Sequence, residues 1–284
     1  MVFLFLFNRL FMAKNIFRET PRHALSDEVW LRVAPLMDAL AGRRGRPPKD
    51  NRQFLHAVLW MAKTGAPWRD LPPSLGFWRS VHSRFLTQAK KGGWRDLLCV
   101  LADAEAVGLV CVASLSLKAA PCASGARKRG KNPEISQKLQ ALGKSVGGLT
   151  SKFHAAVSDC GHLLGGVLTP GQASDNALGA RLCRMVAALA PKAICGDKAY
   201  GSKAIREQIH KIGAECVIPS KNNQKVQIPH DKTQYKKRNR VERYFGRLKN
   251  WRRICLRTDK LAVAFASWIW LVSALDWLSP ASYD

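Results

Sequence analysis

The chain has 284 residues and carries 46 Lys and Arg against 20 Asp and Glu, a formal net charge of +26. That excess is beyond what solubility needs and favours a polyanion, nucleic acid ahead of a membrane surface, since each phosphate contact adds salt-dependent affinity. A hydrophobic content of 47% with nine Trp is enough to bury a core, which excludes a wholly disordered basic chain.

The opening Met1-Val-Phe-Leu-Phe-Leu-Phe run is broken by Asn8 and Arg9. It is too short to span a bilayer and lacks a basic stretch before it and a cleavage site after it. Residues 1–24 read as an extension or flexible arm. Ser26 with Asp27 and Glu28 marks a helix start, followed by the apolar stripe Val29, Trp30, Val33, Leu36, Met37 and Leu40, which Pro35 bends or divides. Gly42-Arg-Arg-Gly-Arg-Pro-Pro-Lys49 is a basic, helix-breaking linker whose Arg43, Arg44 and Arg46 are candidate DNA contacts. Phe54, Leu55, Val58, Leu59 and Met61 predict a second helix, and a third runs from Gly76 through Leu86. The turn Gly65 to Pro73 between them is rigid, with Trp68 as its anchor. Residues 25–98 therefore read as a small helical DNA-binding domain. The competing reading is a packing subdomain with a solvated basic face, because no residue identifies a base-reading helix.

After Leu98 the period changes. Leu109 to Leu117, Leu149 to Val157 and His162 to Thr169 alternate as strands, with Lys118 to Gly148 a basic, Gly-containing stretch between the first two. A helix over Asn176 to Leu189, a short strand Ala193 to Asp197, a helix over Ser202 to Ile212 and a strand Ala214 to Ile218 follow. Lys221 to Lys237 reads as a loop before a basic helix, and the apolar tract Leu261 to Leu278, which contains Asp276, as a buried terminal helix. Three strands, then helix, strand, helix and strand, without a Gly-rich turn after the first strand, predict an α/β fold. The order matches a ribonuclease H-like mixed-sheet domain over residues 99–284. The eight cysteines are scattered without a close Cys-x-x-Cys pair and read as reduced, mostly buried thiols.

Two carboxylates stand out. Asp197 closes an apolar run just before Lys198-Ala-Tyr-Gly201, where a strand end holds a metal ligand rigidly; the plain alternative is a capping aspartate. Glu242 lies inside the basic run Tyr235 to Lys249, with Arg238 four residues before it and Lys249 seven after, near one helical face. Its plain alternative is a surface ion pair with Arg238. Two carboxylates suit hard divalent cations, and a pair of such ions can stabilise the attacking and leaving oxygens of a phosphodiester.

Tyr235, Arg238, Glu242 and Lys249 are separated by two, three and six residues. With Asn239-Arg240-Val-Glu-Arg-Tyr-Phe245, Gly196-Asp-Lys-Ala-Tyr200, Gly147 to His154 and Leu168-Thr-Pro-Gly-Gln172, they resemble insertion-sequence transposases of the Asp-Asp-Glu class, the insertion sequence five family, over roughly residues 25–278. The resemblance implies Asp197 and Glu242 as second and third catalytic acids and metal ligands, holding two Mg²⁺ ions with Mn²⁺ as a substitute. It implies Arg238, Arg240 and Lys249 on DNA, and Tyr235 either on DNA or in the wall of the active site. It further implies hydrolysis at the element's terminal inverted repeats, attack of the freed 3'-hydroxyl on target DNA, a homodimer or larger assembly on double-stranded DNA, no membrane, and a cytoplasmic, nucleoid-associated location. His154 also has the family's setting, as a core or supporting histidine.

One position departs from the family. Counting back from Gly125-Ala126 puts Ala113 where the first catalytic Asp belongs, and Ala120 and Cys122 at two His positions. Alanine cannot bind a metal. Asp103 or Glu105 would replace it only through a costly shift of strand register. The sequence thus predicts a transposase impaired in catalysis, or a noncatalytic DNA-binding derivative that recognises element ends or represses transposition. An RNA-binding basic protein accounts for the charge but not for the ordered acidic motifs.

Overall fold

A computed structural model describes residues 25–41, 50–102, 107–125, 140–221, 224 and 226–278. The chain divides into two compact units, Met1–Phe85 and Leu86–Asp284.

In the first unit, α1 (Asp27–Ala41) begins where Ser26 Oγ accepts the Val29 N–H at 3.3 Å. Pro35 sits inside this helix without dividing it. Helix α2 (Asn51–Thr64) is capped by Asp50, whose carboxylate accepts the Gln53 N–H at 2.8 Å. It ends at Gly65, where φ of +66° lets the amide turn back onto the Met61 carbonyl. The buried face is Phe54, Leu55, Val58, Leu59 and Met61, as the period requires. Prolines lead into the two short 3-10 turns Trp68–Asp70 and Pro73–Leu75. Trp68 does anchor this turn: its ring lies 4.7 Å from His82 and 5.8 Å from Phe85. The third helix, α3 (Trp78–Lys91), starts later than expected, because Gly76 with φ of +111° cannot join it, and continues beyond Leu86.

The second unit begins with a helix that the hydrophobic period did not predict, α4 (Gly93–Leu101). It starts after Gly92 in the left-handed region and buries Trp94, Leu97 and Leu98. A seven-stranded sheet follows: β1 (Leu109–Ala119), β2 (Gly143–Ser145), β3 (Gly148–Ser158), β4 (Leu163–Pro170), β5 (Ala193–Gly196), β6 (Glu215–Val217) and β7 (Leu256–Arg257). Its order is β2-β3-β1-β5-β6, with β4 on β3 and β7 on β1. Strand β3 runs antiparallel to β1 and β4, whereas β5 is parallel to β1 and to β6. This is a mixed α/β sheet preceded by a helical region. Helices α5 (Asp175–Val186) and α6 (Lys203–Lys211) cover one face, where Leu182, Val186, Ile205 and Ile209 meet Val110, Val112, Ala156 and Ile194.

The expected loop over Lys221 to Lys237 contains a helix, α7 (Lys232–Lys236), because Asp231 accepts the amides of Thr233 and Gln234 and nucleates a turn. Then come α8 (Asn239–Lys249), α9 (Arg252–Cys255) and the terminal α10 (Ala262–Asp276), which packs on α4. Among the described residues no helix is long and apolar enough to cross a membrane. The expectation of mostly buried thiols is corrected: Cys99, Cys122, Cys160 and Cys255 are exposed. Cys99, for example, faces outward on α4 while Leu97 and Leu98 face in.

Two polar locks hold the unit. Arg257 is fully buried and donates to the carbonyls of Gln140, Ala141, Asp259 and Lys260 and to Ser151 Oγ. Burial pulls its guanidinium down to about 10, with Asp259 opposing. Arg247 grips Asp276 through both carboxylate oxygens at 2.8 and 2.7 Å and the Gly161 carbonyl at 2.6 Å, tying α8 to α10 and to the β3–β4 turn. Burial opposes the Asp276 charge, but the hydrogen bonds of His162 and Arg247 hold its carboxyl below the usual range.

Candidate active site

Strand parity decides what faces the site. Val110 and Val112 point to α5 and α6, so Cys111 and Ala113 point to the opposite face, where Cys111 Sγ lies 3.7 Å from the Lys237 carbonyl just ahead of α8. Strands β1 and β5 are paired in parallel register, Cys111 with Cys195 and Val112 with Gly196. One step further along that register sets Ala113 level with Asp197. Ala113 is buried within β1, opposite Ala155 of β3.

Asp197 follows the last residue of β5 and caps the 3-10 turn Lys198–Tyr200, its Oδ1 accepting the Ala199 N–H at 2.9 Å. The capping role therefore holds, and it leaves the carboxylate half-buried at the strand end. Glu242 lies in the first turn of α8, its side chain half exposed, and accepts from Arg238 Nη1 at 2.8 Å. Burial works against the Arg238 charge. The hydrogen bond and charge of Glu242, followed by Tyr235 and Asp197, outweigh it and hold the guanidinium above its ordinary range. Arg238 is thus within electrostatic reach of both acids, and helix α8 packs on β1 and β3.

Of the remaining candidates, Tyr235 is half-buried on α7, with His230 edge-on at 5.4 Å and the Arg238 guanidinium 6.0 Å from its ring centre. Arg240 is half-buried, and its charge reaches Cys111 and Cys160. Lys249 is exposed at the end of α8. Arg43, Arg44 and Arg46, and the fallback acids Asp103 and Glu105, lie outside the described residues.

The thiol pair beneath the site was not anticipated from the sequence. Cys111 and Cys195 are fully buried neighbours. The hydrogen bond from Cys195 lowers the Cys111 thiol against its burial, with Arg240 and Arg238 helping, while Cys195 is pushed up. Their in-register spacing was the available signal, two residues before Ala113 and two before Asp197.

His154 does not fit a fully satisfied core histidine. Its Nε2 meets Thr169 Oγ1 at 2.9 Å, but Nδ1 faces Asp175 Oδ1 at 3.4 Å with no hydrogen bond. Burial brings its pKa to about 4, with Asp175 raising it and Lys152 lowering it.

A pair of hard cations needs several oxygen ligands in fixed geometry. Asp197 and Glu242 are the acids at this site, Glu242 is already paired with Arg238, and the β1 position bears a methyl group. No group of three or more His, Cys, Asp and Glu side chains able to hold a metal comes together among the described residues. The described residues do not fit a two-ion centre.

The family model described as "Transposase DDE domain" matches residues 126–277, and that described as "Putative transposase of IS4/5 family" matches residues 25–98. Their order defines the class, an insertion-sequence transposase. The chain belongs to the DDE transposase family, with an N-terminal region of the IS4/5 type. It is 37% identical over 120 residues to the uncharacterized protein y4sN of Sinorhizobium fredii, covering 41% of this chain and 95% of that protein. It is 30% identical over 131 residues to the "Putative transposase for insertion sequence element IS6501" of Brucella ovis, covering 46% and 99%. A solved structure, the Mos1 transposase paired-end complex with left transposon end, is matched over 95% of this chain and 92% of that one, at 9% identity and a TM-score of 0.25, too slight a likeness to bear on the fold.

Proposed function

We propose that this transposase chain keeps a ribonuclease H-like scaffold and a surface for its element's terminal inverted repeats, but does not, as it stands, hydrolyse phosphodiesters or transfer strands. The observation that carries this is Ala113, level with Asp197 and on the face toward α8. A site with one acid replaced by a methyl group and another paired with Arg238 favours a phosphate over a cation.

Residues 25–98 would serve as the DNA-binding domain, residues 99–284 as the scaffold, and residues 1–24 as an extension. Arg238, Arg240, Lys249 and Tyr235 would take the DNA backbone, with Arg43, Arg44 and Arg46 contributing from the linker. Target DNA, a homodimer or larger assembly, and a cytoplasmic, nucleoid-associated site of action follow from the same reading. An element end occupied without being cut would also be closed to an active relative, which makes repression of transposition the second reading.

The test is a footprint on the inverted repeats that flank the coding sequence, in Mg²⁺. Protection of the ends with the strands intact is expected. Failure to prefer the ends over random DNA would remove the end-binding reading, and cut ends would remove the impairment.

A further inference from the structure

We propose that the N-terminal unit distorts the DNA it binds, with Phe77 entering between base pairs and Arg69 and Arg79 taking phosphates beside the opened step. This rests on the reading that the chain binds duplex DNA.

Phe77 is 62% exposed, and it is the one aromatic ring among the exposed large apolar side chains of the described residues. Its position is fixed. Gly76, with φ of +111°, bends the chain ahead of it, and the Phe77 carbonyl accepts the amides of Ser80 and Val81, so the ring stands at the head of α3. Trp78 lies beside it, ring centres 6.2 Å apart. The guanidinium groups of Arg69 and Arg79 lie 5.9 and 5.3 Å from the Trp78 ring centre. Both arginines are exposed, and Trp78 orders them without neutralising them.

The surroundings choose the partner. Helix α3 contains no acidic residue, so its charged side chains are all basic, while Asp70 is the one carboxylate on the adjoining turn. Arg84 faces inward, bonded to Asn51 and set over the Phe54 ring at 3.9 Å, and burial lowers its pKa; it belongs to the core of the unit. An exposed apolar ring at a helix start, beside an indole that gathers two cations, matches an unstacked base step with phosphates next to it. Inserted apolar side chains unstack, kink and untwist duplexes in this way, and the added contacts offset the cost of unstacking. An apolar protein surface would leave both arginines unpaired.

The full chain, bound to closed circular plasmid during relaxation by a topoisomerase, tests this without knowledge of the end sequence. The unchanged chain should lower the linking number. Phe77→Leu, which keeps an apolar wedge, should preserve the change, and Phe77→Ala should abolish it while still retarding the plasmid. Arg69→Gln with Arg79→Gln should reduce the log–log salt slope of binding by roughly 1.8, about 0.9 for each phosphate no longer neutralised. Binding without a change in linking number, or a change that survives Phe77→Ala, overturns the wedge and leaves DNA binding intact. Absence of plasmid binding overturns the underlying reading and the wedge with it. Loss of self-association in Phe77→Ala, read by light scattering, with the linking number unaltered, would assign the ring to a second copy and also overturn it.

Discussion

Position 113, in the middle of β1, and position 197, just past the end of β5, are neighbours in the parallel register, yet one is an alanine and the other an acid. At β5, Asp197 is fixed twice, as the residue closing an apolar strand and as the cap of the turn behind it. At β1 the strand is intact on both sides, paired with β3 and β5 and, farther along, with β7, but Ala113 offers only a methyl group level with Asp197. The contrast separates scaffold from chemistry. Strand pairing, burial and the Arg257 lock do not depend on a carboxylate at position 113, so an alanine there leaves a folded protein. Clustered acids repel one another and resist burial, so an alanine beside Asp197 is expected to be more stable than a second acid would be.

The largest expected effect lies in the scaffold. Arg257→Met leaves five acceptors without their donor, and urea unfolding should show a loss of roughly 3–5 kcal/mol. An unchanged midpoint would mean that the end of β1 is held by strand pairing alone.

Next comes His154, the β3 neighbour of Ser114 in the register. Its folded value of about 4 lies below the ordinary 6.5, so the unfolded chain takes up the proton first. The stability it contributes is complete above about pH 6.5 and falls as pH drops toward 4, by up to about 3 kcal/mol. His154→Asn should flatten that part of the stability profile relative to the unchanged chain; parallel profiles would show that another group carries the acid sensitivity.

Restoring the acid tests the comparison itself. Ala113→Asp places a buried charge beside Asp197 and should cost roughly 1–3 kcal/mol in thermal unfolding. A gain in stability would show that the two positions do not face one another. The smallest effect belongs to Lys249, whose replacement by Gln should lower the salt slope of DNA binding by about 0.9 if it takes one phosphate.

Much of this contrast was legible in the residues. Strands β1, β3, β4 and β5 fall within a residue or two of the runs that predict them, because a strand buried on both faces reads as a continuous apolar run and one with an exposed face alternates. The Arg238–Glu242 spacing predicts the ion pair that forms. Less legible were β2 and β7, of three and two residues, which are too short to show a period. Arg257 was hidden for another reason: an arginine reads as solvated until acceptors from Gln140 to Ser151 close around it, more than a hundred positions away. The contact of His162 and Arg247 with Asp276 is likewise a product of topology, bringing the β3–β4 turn, α8 and α10 to one carboxylate.

The most direct test of the central claim is cleavage of labelled DNA carrying the element's own ends, in Mg²⁺, by the unchanged chain and by Glu242→Ala. The account predicts that both bind the ends and that neither cuts them. Cleavage by the unchanged chain that disappears with Glu242→Ala would contradict it, because another residue would then be supplying the acid that Ala113 lacks.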